Sequence, residues 1–188
     1  MQRKETQAMR YLRMIVTILC LLAAFAVSVA AQEKSLYERL GGKEALVAVV
    51  DDFVARAAAD ERVNQKFARS DIARLKFMLV EQLCAATGGP CTYTGRSMAS
   101  THRNMRVTEG EFNAIVEDLV ATLDKFQVPA AEKDELLGIL GPLKSQIVEV
   151  NSQATGTPLP AEFKAAPPLK SSKMKAGKTK ASKMKANK

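Results

Sequence analysis

Ser97-Met98-Ala99-Ser100-Thr101-His102-Arg103-Asn104-Met105-Arg106-Val107-Thr108-Glu109-Gly110-Glu111-Phe112 is the stretch on which the reading of this chain turns. His102 is the only histidine among 188 residues. Thr108 and Glu111 have the Ser/Thr-x-x-Glu form of a capping box, which satisfies the orphan amides that open a helix. Beyond them Phe112, Ile115, Val116, Leu119 and Leu123 recur at helical spacing, predicting a helix from Glu109 to about Phe126 with that face buried. A short helix around Met98 to Met105 would carry the histidine. A lone histidine is most often a polar side chain on a helix, yet a neutral imidazole is also the commonest protein donor to iron and zinc. A zinc site needs three or four protein ligands, so one histidine does not make one. One imidazole is enough to hold a haem.

Working outward, every strong pattern is helical. Ser35-Leu36-Tyr37-Glu38 is a second capping box, opening a short helix that stops at Gly41-Gly42. Leu46, Val49, Val50, Phe53 and Ala57 mark one face of a helix over Lys43 to Ala58. Asn64 to Arg69 reads as a connector carrying Phe67. Asp71 suits the cap of a helix from Ile72 to about Ala86, with Leu75, Met78, Leu79 and Leu83 on one side, ended by Gly88-Gly89-Pro90. Cys91 to Ser97 has no clear period. Pro129 suits a helix start, and Leu136, Leu137, Leu140, Leu143, Ile147 and Val148 fill the helix that follows. Gly141-Pro142 should kink it, because proline lacks a backbone donor. Alternating β-branched runs are absent, so the expected fold class is all-α.

Charge and composition divide the chain in three. Residues 1–31 hold Arg3, Lys4, Arg10 and Arg13, then an apolar run from Met14 to Val29, then small residues around Ala30 suited to a signal peptidase. That is the form of an export signal and implies a periplasmic destination. The alternative is an uncleaved inner-membrane anchor over residues 14–30, slightly short for a span of about 20 residues. Residues 32–150 are the expected folded domain. From Asn151 the hydrophobic pattern disappears, and prolines lead into a segment in which Ser172-Lys173-Met174-Lys175-Ala176 recurs from Ser182. Such a composition cannot bury enough to offset its ordering entropy, so residues 151–188 are expected to be a disordered tail. The formal charge of +8 is concentrated in that tail, where nine lysines face Glu162 alone, while residues 31–160 carry fifteen basic and eighteen acidic side chains. A basic isoelectric point therefore says little about the folded part, and a nucleic-acid partner is not expected. Clustered lysines suit an anionic membrane or envelope polymer, at about 1 kcal/mol each near a charged surface. The domain has no Trp and few aromatic residues, so an apolar cofactor would supply part of its core.

Taken together, Leu36-Tyr37-Glu38-Arg39-Leu40-Gly41-Gly42, Asp52-Phe53, Asp60-Glu61-Arg62-Val63-Asn64 with Phe67, Gly88-Gly89-Pro90, Tyr93-Thr94-Gly95, Met98, and His102 followed by Phe112 resemble the truncated haemoglobins. The resemblance covers about residues 35–148 and is closest to the first group, since the tryptophan usual in the other groups is missing. It implies a two-over-two helical sandwich around non-covalent haem b; no Cys-x-x-Cys-His occurs to suggest covalent attachment. His102 would be the proximal iron ligand, with Phe67, Leu75, Leu79, Tyr93, Met98, Phe112 and Ile115 contacting the haem. Dioxygen, carbon monoxide and nitric oxide would be the ligands, and dioxygen binding or transport the expected role.

The departures from the family pattern bear on that role. A tyrosine that donates to the gas ligand usually follows the phenylalanine of the second helix; here the position is Val54. Positions that often carry polar side chains in the distal helix are Leu75 and Leu79, and a basic residue there is replaced by Met78. The distal wall then reads Phe53, Val54, Leu75 and Leu79, without a donor. Arg74, Lys76 and Arg103 are candidates for a haem propionate, beside the simpler reading as solvated charges. Cys84 and Cys91 flank Gly88-Gly89-Pro90 and would bridge in an oxidising compartment, the alternative being two buried thiols. Two further functional readings stay open: nitric oxide dioxygenation or electron transfer served by an external reductase, and a haem-free helical adaptor at the envelope.

Overall fold

The computed structural model describes residues 33–167. The export signal or anchor and the lysine repeats lie outside the described residues, among which no helix is long and apolar enough to cross a membrane. Seven α-helices are described: α1 (Leu36–Arg39), α2 (Gly42–Ala59), α3 (Ile72–Ala86), α4 (Met98–His102), α5 (Glu109–Lys125), α6 (Ala130–Leu140) and α7 (Lys144–Ile147). Tight 3-10 turns occupy Asn64–Phe67 and Gly141–Leu143.

Caps fix the helix starts. Ser35 accepts from the Glu38 amide while Glu38 returns to the Ser35 amide, and Thr108 and Glu111 do the same for α5. Asp71 accepts from the Arg74 amide at 3.0 Å, starting α3 where the sequence places it. Helix α2 ends on extended Asp60, whose amide still donates back to the Arg56 carbonyl. The last predicted helix does not merely kink: Pro142 brings a 3-10 turn, and α7 that follows is only four residues long.

Helix α2 is the centre of the packing, with α3 on one side and α5 on the other. The main core joins Leu46, Val49, Val50 and Val54 of α2 to Val80, Leu83 and Cys84 of α3 and to Leu119 and Leu123 of α5. Leu36 and Leu136 close it, and Arg39 ties α1 to α6 through Glu132 and Glu135. A smaller cluster of Ala57, Val63 and Ala114 is covered by Phe67 and Ile115. Buried aliphatic side chains of this kind each contribute about 1.5–3 kcal/mol. Cys84 and Cys91 are bonded across the double-glycine turn, their Cα atoms 5.7 Å apart. Only glycine fits at Gly89, where a Cβ would lie 2.6 Å from the Tyr37 ring and 2.7 Å from the Cys84 carbonyl.

The chain does not leave the domain at Asn151, as the loss of hydrophobic pattern predicts. Residues 151–167 run over its surface. The Glu109 and Gly110 amides, which have no partner inside α5, donate to the Val150 and Ser152 carbonyls at 3.3 and 3.1 Å. Gly110 permits the approach, since a Cβ there would lie 2.3 Å from the Gln153 carbonyl oxygen. Gly156, at φ +63°, then turns the chain so that its amide reaches the Arg62 carbonyl at 2.6 Å. Further on, Phe163 buries its ring with Met105 and Val107. The sequence misses this because the attachment is made through carbonyls and glycines rather than an apolar stripe.

Candidate functional site

His102 ends α4, a helix started by Ser97, whose hydroxyl accepts from the Ser100 amide at 3.3 Å. The ring Nδ1 lies 2.9 Å from the Met98 carbonyl, one turn back. A carbonyl only accepts, so Nδ1 carries the proton and Nε2 keeps its lone pair, as in histidines that ligate metals. Burial pushes the imidazole pKa below its ordinary value, with Arg96 in the same direction and the Met98 bond and Glu149 opposing. The ring is therefore neutral at physiological pH. Beyond it Asn104 and Arg106 adopt φ of +65° and +53°, held by amide bonds to the two oxygens of Glu149 at 2.8 and 2.6 Å.

A cavity of about 740 Å³, counted with the part open to solvent, runs between α3 and α4. It is lined by Phe67 and by Leu75 and Met78 of α3, by Thr101 and His102 of α4 with Met105 beyond, and by Tyr93, Gly95, Arg96 and Arg74. Tyr93 is set by a tight turn in which its hydroxyl donates to the Arg96 carbonyl at 2.8 Å and its ring covers Gly95. Burial raises the pKa of the Tyr93 hydroxyl against the lowering effect of Arg74 and Arg96, so it stays a neutral donor.

Four of the residues singled out in the sequence, Phe67, Leu75, Tyr93 and His102, thus face one space. Met98, Leu79, Phe53, Phe112 and Ile115 are half-buried and do not line it. Met98 serves His102 through its carbonyl, and its sulfur lies 3.7 Å from the Gln82 amide nitrogen. Val54 is 4% exposed, within the main core, with Phe53 and Leu79 packed against the same cluster. Of the three cationic candidates, Arg74 lines the cavity, Lys76 pairs with Asp51 at 3.0 Å, and Arg103 is exposed elsewhere.

Sequence reasoning missed Lys66, Arg96, Met105, Phe163, Ala165 and Ala166, all of which line the cavity. Phe163 had a signal: it is the one aromatic residue after Phe126. Lys66 had none. It is 4% exposed, its ammonium 3.3 Å from the Glu111 carboxylate and donating to the Met105 carbonyl at 3.0 Å and the Thr157 hydroxyl at 2.8 Å. Buried charges persist only when paired and hydrogen-bonded in this way.

The lining of the cavity suits a haem on its chemistry: apolar side chains from Phe67, Leu75, Met78, Met105 and Phe163, cationic ones from Arg74 and Arg96, and one neutral imidazole whose free nitrogen is fixed by its own backbone bond. Among the described residues no cluster of three or more histidine, cysteine, aspartate or glutamate side chains offers a bare-ion site.

Known proteins agree. The model of the bacterial-like globin family matches residues 35–149. A group 1 truncated haemoglobin of Mycolicibacterium paratuberculosis is 38% identical over 117 residues, covering 62% of this chain and 86% of the relative. The crystal structure of the truncated haemoglobin of Tetrahymena pyriformis in its Fe(III) form superposes with a TM-score of 0.59 at 31% identity, over 61% of this chain and 98% of that one. A 2/2 haemoglobin of Synechococcus, solved with covalently attached haem, gives a TM-score of 0.57 at 36% identity over 60% and 95% of the two chains. With the family model spanning most of the described domain, the helical sandwich in place and the cavity at His102 on its α3–α4 side, the chain belongs to the bacterial-like globins and is a group 1 truncated haemoglobin.

Proposed function

We propose that this globin holds haem b through Nε2 of His102 and binds diatomic gases in a pocket that grips dioxygen weakly. The observation that carries the reading is the His102–Met98 bond, which leaves a single oriented, neutral donor facing the cavity. Phe67, Leu75 and Met78 would cover one face of the macrocycle, and Arg74 and Arg96 would meet its propionates. Haem, when bound, supplies the iron at which a diatomic gas binds.

What the chain adds is the surroundings of that gas. On the distal side Leu75 lines the cavity without a hydrogen-bond donor, and Val54 and Leu79, packed in the main core, supply none either. A missing donor of this kind forfeits roughly 1–3 kcal/mol of dioxygen stabilisation, so release should be about 10- to 100-fold faster than from a tyrosine-lined pocket. Carbon monoxide and nitric oxide lean less on such a bond and should lose less. The test has two arms. Hemin titrated into the purified protein should give a Soret band that His102→Ala loses. Stopped-flow release of dioxygen from the reduced protein should be fast, and Leu75→Gln, which puts a donor on the cavity lining, should slow it. Release as slow as from a tyrosine pocket without that substitution defeats the weak-grip reading.

The proposal extends to location. The basic, apolar and small-residue order of residues 1–31 supports export to the periplasm, and the lysine-rich residues 168–188 support contact with anionic envelope surfaces. Sequencing the N-terminus of protein recovered from the periplasmic fraction should begin near Ala31. Recovery of an intact Met1 in the membrane fraction would favour the anchor.

A further inference from the structure

We infer that residues 157–166, which lie beyond the part matched by the globin family, form an additional wall of the cofactor cavity and that Phe163 is a haem-retaining residue. The inference rests on the haem site proposed above. Family coverage ends at residue 149. Yet Phe163, Ala165 and Ala166 line the same cavity as Leu75 and His102.

Two clasps hold this segment across the opening. The first is buried. Both the amide and the hydroxyl of Thr157 donate to one oxygen of Glu111, at 2.9 and 2.7 Å, and Lys66 donates to the same hydroxyl at 2.8 Å. Glu111 and Lys66 are 2% and 4% exposed, so the clasp is shielded from solvent and salt. The second is Arg69. Its guanidinium donates to the carbonyls of Leu159, Ala161 and Phe163 at 3.3, 3.3 and 2.9 Å and to that of Pro160, and it lies 6.0 Å from the Phe163 ring centre. Arg69 belongs to the connector between α2 and α3, on the Phe67 side of the cavity. Phe163 itself packs on Met105, just past His102. The segment therefore joins the connector before α3 to the stretch just past His102, both of which contribute to the cavity lining.

A haem edge resting on a buried phenylalanine gains apolar contact, and a joined mouth opens less often. Both effects slow loss and leave the iron–imidazole bond alone. In the full-length protein loaded with hemin and mixed with excess scavenging apo-globin, Phe163→Ala should raise the rate of haem transfer by about 10- to 100-fold. Arg69→Gln should raise it less, since Thr157 still holds. Far-UV circular dichroism shows whether each variant keeps its helices. A second measurement needs no substitution: adding hemin to the unaltered protein should slow amide hydrogen exchange across residues 157–166. Unchanged transfer from well-folded Phe163→Ala overturns the inference, as does slower transfer. Exchange that stays the same or speeds up on adding hemin overturns it too, the latter by showing that haem expels the segment. Those results leave the haem site standing, whereas a wild-type protein that takes up no hemin overturns both.

Discussion

Glu111 does two jobs with one carboxylate. One oxygen accepts from the Thr108 amide at 3.0 Å to complete the α5 cap, and the other takes both donors of Thr157. Its charge also balances Lys66 in a site with almost no water. Removing one member of such a pair leaves a buried uncompensated charge, typically at a cost of about 3–5 kcal/mol. Glu111→Ala should lower the urea midpoint accordingly, while Lys66→Met with Glu111→Gln should lose clearly less, which a double-mutant cycle in urea measures. Asp60 and Asp118 set a different, pH-dependent term. Hydrogen bonds from Arg62 hold the Asp60 pKa below its ordinary value, so Asp60 contributes stability above the usual carboxylate range that fades as pH falls through its lowered pKa. Asp118 is shifted the other way, by burial and then by the neighbouring Asp60 charge. Its neutral form is the one the fold prefers, and Oδ2 has no partner. Asp118→Asn should therefore stabilise the protein at neutral pH, by on the order of 1 kcal/mol. That gain should shrink as pH falls from the raised Asp118 pKa towards the ordinary carboxylate value of 3.8 and vanish below it, a trend that thermal melts across pH would record.

The helices were legible where their signals are local. Ser35, Asp71 and Thr108 are caps that act on amides three residues ahead, and each starts its helix where sequence alone places it. The end of α4 was not legible in the same way. Its turn depends on Glu149, more than forty residues away, pinning Asn104 and Arg106. The cavity was legible in His102, Phe67, Leu75 and Tyr93 because these stand in recognisable order. Val54 stands at the position where the family pattern has a donor tyrosine, and in this fold its side chain packs within the main core. The bond between Cys84 and Cys91 belongs to this scale as well, since it fastens the end of α3 to the loop leading to Tyr93. Closing so short a loop is worth roughly 2–3 kcal/mol on the chain-entropy account. Reductant, or Cys84→Ser with Cys91→Ser, should lower the melting temperature by a matching amount, and equal melting curves would refute this.

At the scale of the whole molecule, ligand linkage and the terminal segment dominate. A group that binds the folded chain and not the unfolded one stabilises it by mass action, by about 2.7 kcal/mol at a hundredfold excess over Kd. Hemin should therefore raise the melting temperature of the wild type and leave that of His102→Ala close to its hemin-free value, as followed by far-UV circular dichroism. Removing residues 168–188 should strip most of the positive charge and leave hemin affinity unchanged, because the described contacts to the cavity end at Ala166. Hemin titration of the shortened protein checks this. Residues 151–167 escaped the sequence reading since low hydrophobicity and proline content are the marks of a free chain, and here fixed partners on the domain provide the order instead.

Arg69 reaches for main-chain oxygens, which every amino acid presents alike. Ala161 and Glu162, whose side chains are exposed, can thus be exchanged over evolutionary time without loosening the fastening. Two distant cousins can wear the same belt while sharing few of its letters, and the buckle, a single arginine and a threonine, is the part to look for.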